Sequence, residues 1–390
     1  MAKQKNKKYD FLILGAGGMQ GKIVTRDLLA KKYKLFVSDI YQSHIDALEE
    51  EFGSLDYGLL DLRKKKNTFS LIERIQPFAL INCAESDWNL SVYQACLKHG
   101  VHVIDLGSDE RTMTEKQLKM DSAFRRKKLV AITGCGSTPG VTNVMLDYAV
   151  GFMDSVHTVE AGFAWNSNLK EFVVPFSIWS IVEEFTDPVS FVRNNKWVKK
   201  NPMGTVKSKR YQEIGRNKCF LVRHPEPFTF YYYYKDKGLK NVKFYAGFPS
   251  HSFSMINNFI KLGLSSTRKI KINGKEVEPL QFLIETLRRV KIPEGYREKE
   301  VLWVDVIGKK GNKKKEIFME CIAETLPGWE FAGCNIDTGI PASIIAQMII
   351  KKRIRAWGSF APEAVVPHGE FFKALKEKDM DVYMNSKLIN

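Results

Sequence analysis

A chain of 390 residues, 44% apolar and 27% charged, is long enough for two domains and too apolar for a disordered one. No run approaches the roughly 18 consecutive apolar residues that span a bilayer, and no apolar core follows the basic first eight residues. No membrane partner and a cytoplasmic setting are therefore expected. The net charge of +16 comes from lysines in short dispersed runs, such as Lys64-Lys65-Lys66 and Lys313-Lys314-Lys315. With no helix-turn-helix, zinc-finger or RNP pattern, that charge reads as a solvated basic surface, and no nucleic acid is expected.

In chain order, Phe11-Leu12-Ile13-Leu14 reads as a buried strand. Gly15-Ala16-Gly17-Gly18-Met19-Gln20-Gly21 is then a turn, and Lys22 to Ala30 a helix. Gly15 allows the sharp bend and Gly17 a close backbone approach to a pyrophosphate. Gly21 allows the helix to pack near the sheet, with its positive end toward the phosphates. The third glycine falls one residue later than in G-x-G-x-x-G. A second strand, Lys34 to Ser38, ends at Asp39, about twenty residues beyond Gly17, where an acid bonds the adenosine ribose. No arginine directly follows Asp39, so a 2′-phosphate would meet an uncompensated like charge and NAD is expected over NADP.

Ser43 starts a capping pattern with Asp46, and a helix follows with Ile45, Leu48 and Phe52 inward. Leu55–Leu60 reads as a third strand ending at Asp61-Leu62, where an acid and backbone can meet adenine. Helix 68–76, strand 78–84, helix 89–99, strand 101–106, helix 114–127 and strand 129–133 continue the alternation. Such alternation implies a parallel sheet covered on both faces, with ligands outside the carboxyl ends of its strands. The loops Cys83 to Asp87, Leu106 to Asp109 and Gly134 to Gly140 fall at that place.

After about Gly151 the pattern changes to strand 156–165, helix 175–185 and aromatic strand-like runs at 220–223 and 228–234. A hairpin with an Asn273-Gly274 turn follows, then the strand pair 301–307 and 317–324. This stretch reads as an α+β region with a largely antiparallel sheet. The run Tyr231 to Tyr234 suits a strand covered on both faces, and its excess of aromatic surface suggests a homodimer. An apolar helix 341–352 and a final helix 371–378 should pack back on the first domain. The six cysteines (Cys83, Cys96, Cys135, Cys219, Cys321, Cys334) form no C-x-x-C pair and read as reduced thiols, so no disulfide or metal framework is expected.

Several separated segments, in order, carry a family likeness. They are Gly15 to Gly21, Ile81 to Ala84, Gly100 to Gly107, Gly134 to Asn143, Phe185 to Pro188 with Val192-Arg193-Asn194, Ile272-Asn273-Gly274, Thr338 to Ala342, and Ala361 to Pro367. Over nearly its whole length the chain resembles the saccharopine dehydrogenase-like oxidoreductases, and among them the L-lysine 6-dehydrogenase group. The resemblance implies an α/β fold: a Rossmann-type doubly wound parallel sheet (residues 8–150), an inserted α+β domain for substrate and dimerisation (151–334), and a C-terminal segment returning to the first domain (335–390). It also implies hydride exchange at a carbon bearing nitrogen. By position, Gly15, Gly17, Gly18, Met19 and Gln20 would hold the pyrophosphate and Asp39 the ribose. Asp61 and Leu62 would lie near adenine, and Cys83, Ala84, Leu106 and Gly107 near the nicotinamide half. Saccharopine-forming members commonly carry an aspartate where this chain has Thr138, a departure that weakens saccharopine as substrate.

Oxidising an amine needs a neutral nitrogen, a hydride path and a destination for the released proton. Asp105, ending a strand on the nicotinamide side, is either that acceptor or a loop carboxylate bonding backbone amides. His102 reads as a core histidine. Arg223 is either a bidentate clamp for an α-carboxylate or a surface ion pair, and Ser108, Asp109 and Thr138 are the loop residues expected at the substrate. The leading reading is an NAD-dependent oxidoreductase acting on a C–N bond of lysine or a saccharopine-like amino acid. A carboxynorspermidine-type reductase and a non-catalytic NAD-binding regulatory protein are the alternatives.

Overall fold

The computed structural model describes residues 8–108, 111–174 and 177–390. The first part alternates β1 (Phe11–Leu14), α1 (Met19–Ala30), β2 (Leu35–Asp39), α2 (Gln42–Phe52), β3 (Asp56–Leu59), α3 (Lys65–Ile75), β4 (Ala79–Asn82), α4 (Asn89–His99), β5 (His102–Asp105), α5 (Arg111–Leu118), α6 (Asp121–Arg126), β6 (Val130–Ile132) and α7 (Val141–Val150). The middle holds β7 (Ser155–Ser167), α8 (Ile178–Thr186), β8 (Val189–Arg193), β9 (Lys196–Lys200), β10 (Lys207–Tyr211), β11 (Gly215–Leu221), α9 (Glu226–Tyr234), β12 (Asn241–Phe248), α10 (Ser250–Lys261), β13 (Ile270–Ile272), β14 (Lys275–Val277), α11 (Pro279–Leu287), β15 (Glu298–Lys310) and β16 (Lys313–Glu324). The chain ends with α12 (Ile336–Ile350), β17 (Gly358–Phe360), α13 (His368–Lys376), β18 (Asp381–Met384) and β19 (Lys387–Leu388).

The first sheet runs β17-β6-β5-β4-β1-β2-β3, and every pairing in it is parallel. All of β1 and β4 is buried, as strands with helices on both faces must be. The order reverses at β1, so the carboxyl ends of β1, β2 and β4 open a crevice at the head of α1. The second sheet is mixed. β10-β11-β12 and β7-β15-β16-β18-β19 are antiparallel runs, joined by a parallel β12–β7 pairing.

Four expectations need correction. The aromatic run 228–234 is the helix α9, not a strand: Glu226 sits in its first turn and a proline at its start presets φ, which overrides the strand preference of Phe and Tyr. Phe228, Phe230 and Tyr234 are buried within the chain, while Tyr232 is 47% exposed on the helix surface. Ser43 is not a cap; it lies inside α2, which begins after Tyr41 with no side-chain cap. The helix expected over 114–127 is two, α5 and α6. The C-terminal segment divides: α12 packs on α1 and β17 extends the first sheet, but β18 and β19 extend the second.

Candidate active site

The glycine turn is held by packing. Gly15 sits at φ +68°, and a Cβ there would come within 2.8 Å of the Ala84 nitrogen. At Gly21 a Cβ would run into the Gly15 carbonyl oxygen, which keeps the head of α1 against β1. At Gly17 it would strike the Cβ of His44, so this glycine makes room for α2 as well as for the turn. Gly18 differs: its missing side chain meets only the Gly15 oxygen, at 3.4 Å. Gly18 also caps α1 without a side-chain hydrogen bond, and the first turn carries no acid. The positive helix end is thus left for an anion.

Asp39 is 6% exposed at the end of β2. Its Oδ2 accepts from the Gly17 amide at 2.9 Å, and its Oδ1 from the amides of Ile40 and Tyr41 at 2.8 and 3.2 Å. His44 Nδ1 lies 2.9 Å from the same Oδ1. Asp39 therefore fixes the turn at the end of β2. Asp61 is gripped by Arg63 through Nε at 2.8 Å and Nη2 at 3.0 Å, which holds its carboxyl below the usual carboxylate range. Gly15, Gly18, Asp39, Asp61, Leu62, Cys83 and Ala84 all line one cleft of about 500 Å³. Burial pushes the Cys83 thiol up to about 12, so it stays protonated. An anion-ready helix head, a buried acid at the end of β2 and open space over Gly18 fit a dinucleotide.

Gln20 lines a second cleft of about 200 Å³, while Gly18, two residues earlier at the head of α1, lines the first. One wall comes from the first domain and the start of α12: Gln20, Ser137, Thr138, Asp337 and Thr338. The other comes from the second sheet and its helices: Trp165, Glu184, His224, Glu298 and Glu300. Among these described lining residues are four carboxylates and no lysine or arginine, in a chain of net charge +16. Burial raises Glu298, Glu300 and Asp337 above the ordinary carboxylate range, and for Glu300 the neighbouring carboxylates Asp337, Glu298 and Glu184 push the same way. Gln20 Oε1, Trp165 Nε1 and Asp337 Oδ2 are buried polar atoms with no hydrogen-bond partner among the described residues. Such groups are costly unless a ligand meets them.

The other expected site residues divide. Thr138 lines the second cleft. Asp105 is 1% exposed and accepts from Gly107 N at 2.6 Å, Gln117 Nε2 at 2.7 Å, Thr133 Oγ1 at 3.0 Å and Gly134 N at 3.2 Å. It lines neither cleft; its carboxylate ties the loops after β5 and β6 to α5. Arg223 pairs with Asp187 at 3.4 Å and also lies outside both clefts, while its neighbour His224 faces the second. Ser108 is buried, and Gly107 rests against Pro139, whose Cγ would lie 2.8 Å from a Cβ there. Gly107 thus supports the Pro139 loop, and neither it nor Leu106 lines either cleft. Met19 is 43% exposed at the first position of α1. Asp109 lies outside the described residues. Sequence reasoning missed Glu298, Glu300, Glu184, Asp337 and His224. Glu298 and Glu300 did leave a signal, two acids at alternate positions entering the apolar strand Val301–Val304.

Residues 11–132 match the family model described as saccharopine dehydrogenase NADP binding domain, and residues 136–380 that described as saccharopine dehydrogenase C-terminal domain. The chain is 23% identical over 375 residues to the carboxyaminopropylagmatine dehydrogenase of Synechocystis sp., covering 91% of this chain and 92% of that one. It is also 23% identical over 314 residues to the carboxynorspermidine synthase of Vibrio alginolyticus, covering 76% and 75%. Among solved structures, the apo saccharopine dehydrogenase (L-Glu forming) of Saccharomyces cerevisiae superposes with a TM-score of 0.75 at 11% identity, over 96% of this chain and 99% of that one. With both halves matched in order and the fold shared end to end, the chain belongs to the saccharopine dehydrogenase family, nicotinamide-dependent oxidoreductases acting on C–N bonds.

Proposed function

We propose that the chain interconverts a secondary amine and its imine in a substrate that joins a carboxylate-bearing arm to a polyamine or guanidino-amine. The observation that carries this reading is the second cleft, where four carboxylates meet with no lysine or arginine among the described lining residues. Carboxylates raised by burial and mutual repulsion gain most from a ligand bearing several positive charges. Lysine brings two ammonium groups and a carboxylate; a polyamine conjugate brings more cations for the same cleft. The names of the two relatives, carboxyaminopropylagmatine dehydrogenase and carboxynorspermidine synthase, agree with this choice.

The residues that would hold the dinucleotide are Gly15, Gly18, Asp39, Asp61, Leu62, Cys83 and Ala84, and when bound it supplies or accepts the hydride. Asp39 favours NAD, because a 2′-phosphate would meet its charge at the end of β2. The carboxylates of β15 and α12 would pair with the substrate's distal cations and orient the reacting nitrogen toward the head of α1. Thr138, Gln20 and the Trp165 indole offer neutral polar groups to its carboxylate arm. Ser108 and Asp109 stay candidates for that arm, and a homodimer stays a proposal that light scattering at micromolar concentration tests.

The direct test is nicotinamide turnover with carboxynorspermidine, carboxyaminopropylagmatine, saccharopine and lysine, each with both dinucleotides. We expect kcat/KM for the polyamine conjugates at least tenfold above that for lysine or saccharopine. A preference for lysine or saccharopine would overturn the substrate reading, and no turnover with any of the four would reject the enzyme's proposed reaction.

A further inference from the structure

We propose that His224, held by Glu226, is the group that exchanges the substrate amine's proton, and that Glu226 is its positioning residue. The proposal rests on the substrate reading above, which brings an amine into the second cleft. His224 follows β11 and lines that cleft. Its Nδ1 is 2.5 Å from Oε2 of Glu226, which is wholly buried at the start of α9. The other Glu226 oxygen, Oε1, accepts from Thr142 Oγ1 at 3.1 Å, and Thr142 lies buried on α7. The imidazole plane is fixed by stacking on Phe244, with ring centroids 4.0 Å apart and planes 11° apart.

A buried carboxylate against Nδ1 keeps the proton on that nitrogen. Nε2 is then the ring nitrogen through which a molecule in the cleft is met, in the way a carboxylate sets a histidine's tautomer elsewhere. A tie between β11 and α9 alone would explain the ion pair, but not a ring that lines the cleft. Glu298, Glu300 and Asp337 are poorer candidates, since the substrate reading gives them to the distal cations. Among the described residues, Glu226 pairs with the ring, and Glu184 from α8, Glu298 and Glu300 from β15 and Asp337 from α12 are the titratable groups that share its cleft. Arg223, next in sequence, is engaged by Asp187.

In the oxidative direction the substrate nitrogen arrives as an ammonium. One N–H bond breaks, its proton forms a bond to Nε2, and the electron pair stays on nitrogen. That pair becomes the C=N π bond as the adjacent C–H leaves as hydride to the nicotinamide dinucleotide. In the reverse direction the amine formed takes the proton back from the imidazolium. An imidazole suits both, being the side chain whose charge ordinarily changes between pH 5 and 8.

Two measurements on the full chain test this. The first is 15N NMR of the substrate-free protein, with the His224 signal assigned by its loss in His224→Gln. The neutral ring should carry its proton on Nδ1, and Glu226→Gln should disturb that tautomer. A ring protonated on Nε2 would overturn the proposal whatever the substrate is. The second is kinetics with the best conjugate of the panel. His224→Gln should lower kcat by about 10²–10⁴-fold and abolish one limb of the pH profile. KM should stay within threefold and dinucleotide binding should be unchanged. Glu226→Asp should recover part of what Glu226→Gln loses. Wild-type kcat and an intact pH limb in His224→Gln would overturn the proposal. If the wild type turns over nothing in the panel, the substrate reading fails, and the tautomer alone decides the dyad.

Discussion

Asp27 on α1 and Ser343 on α12 are 316 positions apart in the chain and meet at 2.6 Å, the serine hydroxyl donating to Oδ2 of a fully buried carboxylate. Gln347 Nε2 reaches the same oxygen at 3.3 Å, and Lys378 Nζ lies 2.5 Å from Oδ1. The end of the chain is thereby fastened to the helix whose head faces both clefts. Asp27→Ala would leave a hydroxyl, an amide and a partly buried ammonium without their acceptor. We expect it to cost about 2 kcal/mol or more of stability, read as a fall in the denaturant midpoint. A midpoint unchanged within error would remove this role from Asp27.

Asp105 is the second position where the chain should report on stability. Four donors converge on its carboxylate from the loops after β5 and β6 and from α5. Asp105→Asn replaces one acceptor oxygen by a donor that faces other donors. The variant should lose about 1–3 kcal/mol, with kcat in the surviving folded fraction near that of wild type. A large loss of kcat without loss of stability would return Asp105 to the chemistry.

The contrast between Asp105 and His224 shows what was legible before the structure. Local signals carried the first sheet, because apolar runs and glycine turns state their own geometry; β1, α1, β2 and α4 lie where the pattern puts them. The place of the first cleft was legible too, since Gly15, Gly18 and Asp39 are close in sequence and joined by the Gly18–Gly15 and Gly17–Asp39 hydrogen bonds. The second cleft was not. Its acids come from α8, β15 and α12 and its histidine from the turn after β11, a meeting made by sheet pairing between distant strands. In sequence each acid is one charged residue among 104, and His224 one of seven histidines. Arg223 drew attention because it is a cation, yet the fold turns the next residue to the cleft.

Burial raises Asp337 and Glu300, and this has a sign in pH. At acid pH both carboxyls are protonated folded and unfolded, so they take nothing from stability. As pH rises past the ordinary carboxylate range the unfolded chain gives up its protons first, while the native state holds them. Stability contributed by these groups therefore falls with rising pH until their folded values are passed. Asp337→Asn should melt increasingly above wild type between pH 5 and 8, by at least about 2 °C at the upper end. A pH-independent difference would contradict the raised carboxyl.

Cofactor choice turns on the end of β2. Asp39→Ser removes the charge that a 2′-phosphate would meet, and frees His44 and the nearby Arg63 to face it. The NADH:NADPH ratio of kcat/KM should fall by about tenfold or more, one tenfold step being about 1.4 kcal/mol. Because Asp39 also holds the Gly17 amide, activity with NADH should drop as well. If wild type already uses NADPH better, the reading of Asp39 as a selector against the phosphate is wrong.

The acid cleft makes the last prediction. If Glu300 and Asp337 balance distal cations, neutralising either should weaken the substrate before and during reaction alike. KM for a polyamine conjugate should then rise by about tenfold or more for Glu300→Gln and for Asp337→Asn, with kcat changed less. Arg223→Ala, outside the cleft and paired with Asp187, should leave KM within about threefold. The effect should depend on substrate charge: a conjugate lacking its terminal amine should lose affinity in wild type and little more in Glu300→Gln. Such a double-mutant pattern separates a direct pairing from general damage, which would penalise both substrates equally. Raised KM in Arg223→Ala, together with indifference to Glu300 and Asp337, would move the substrate out of this cleft.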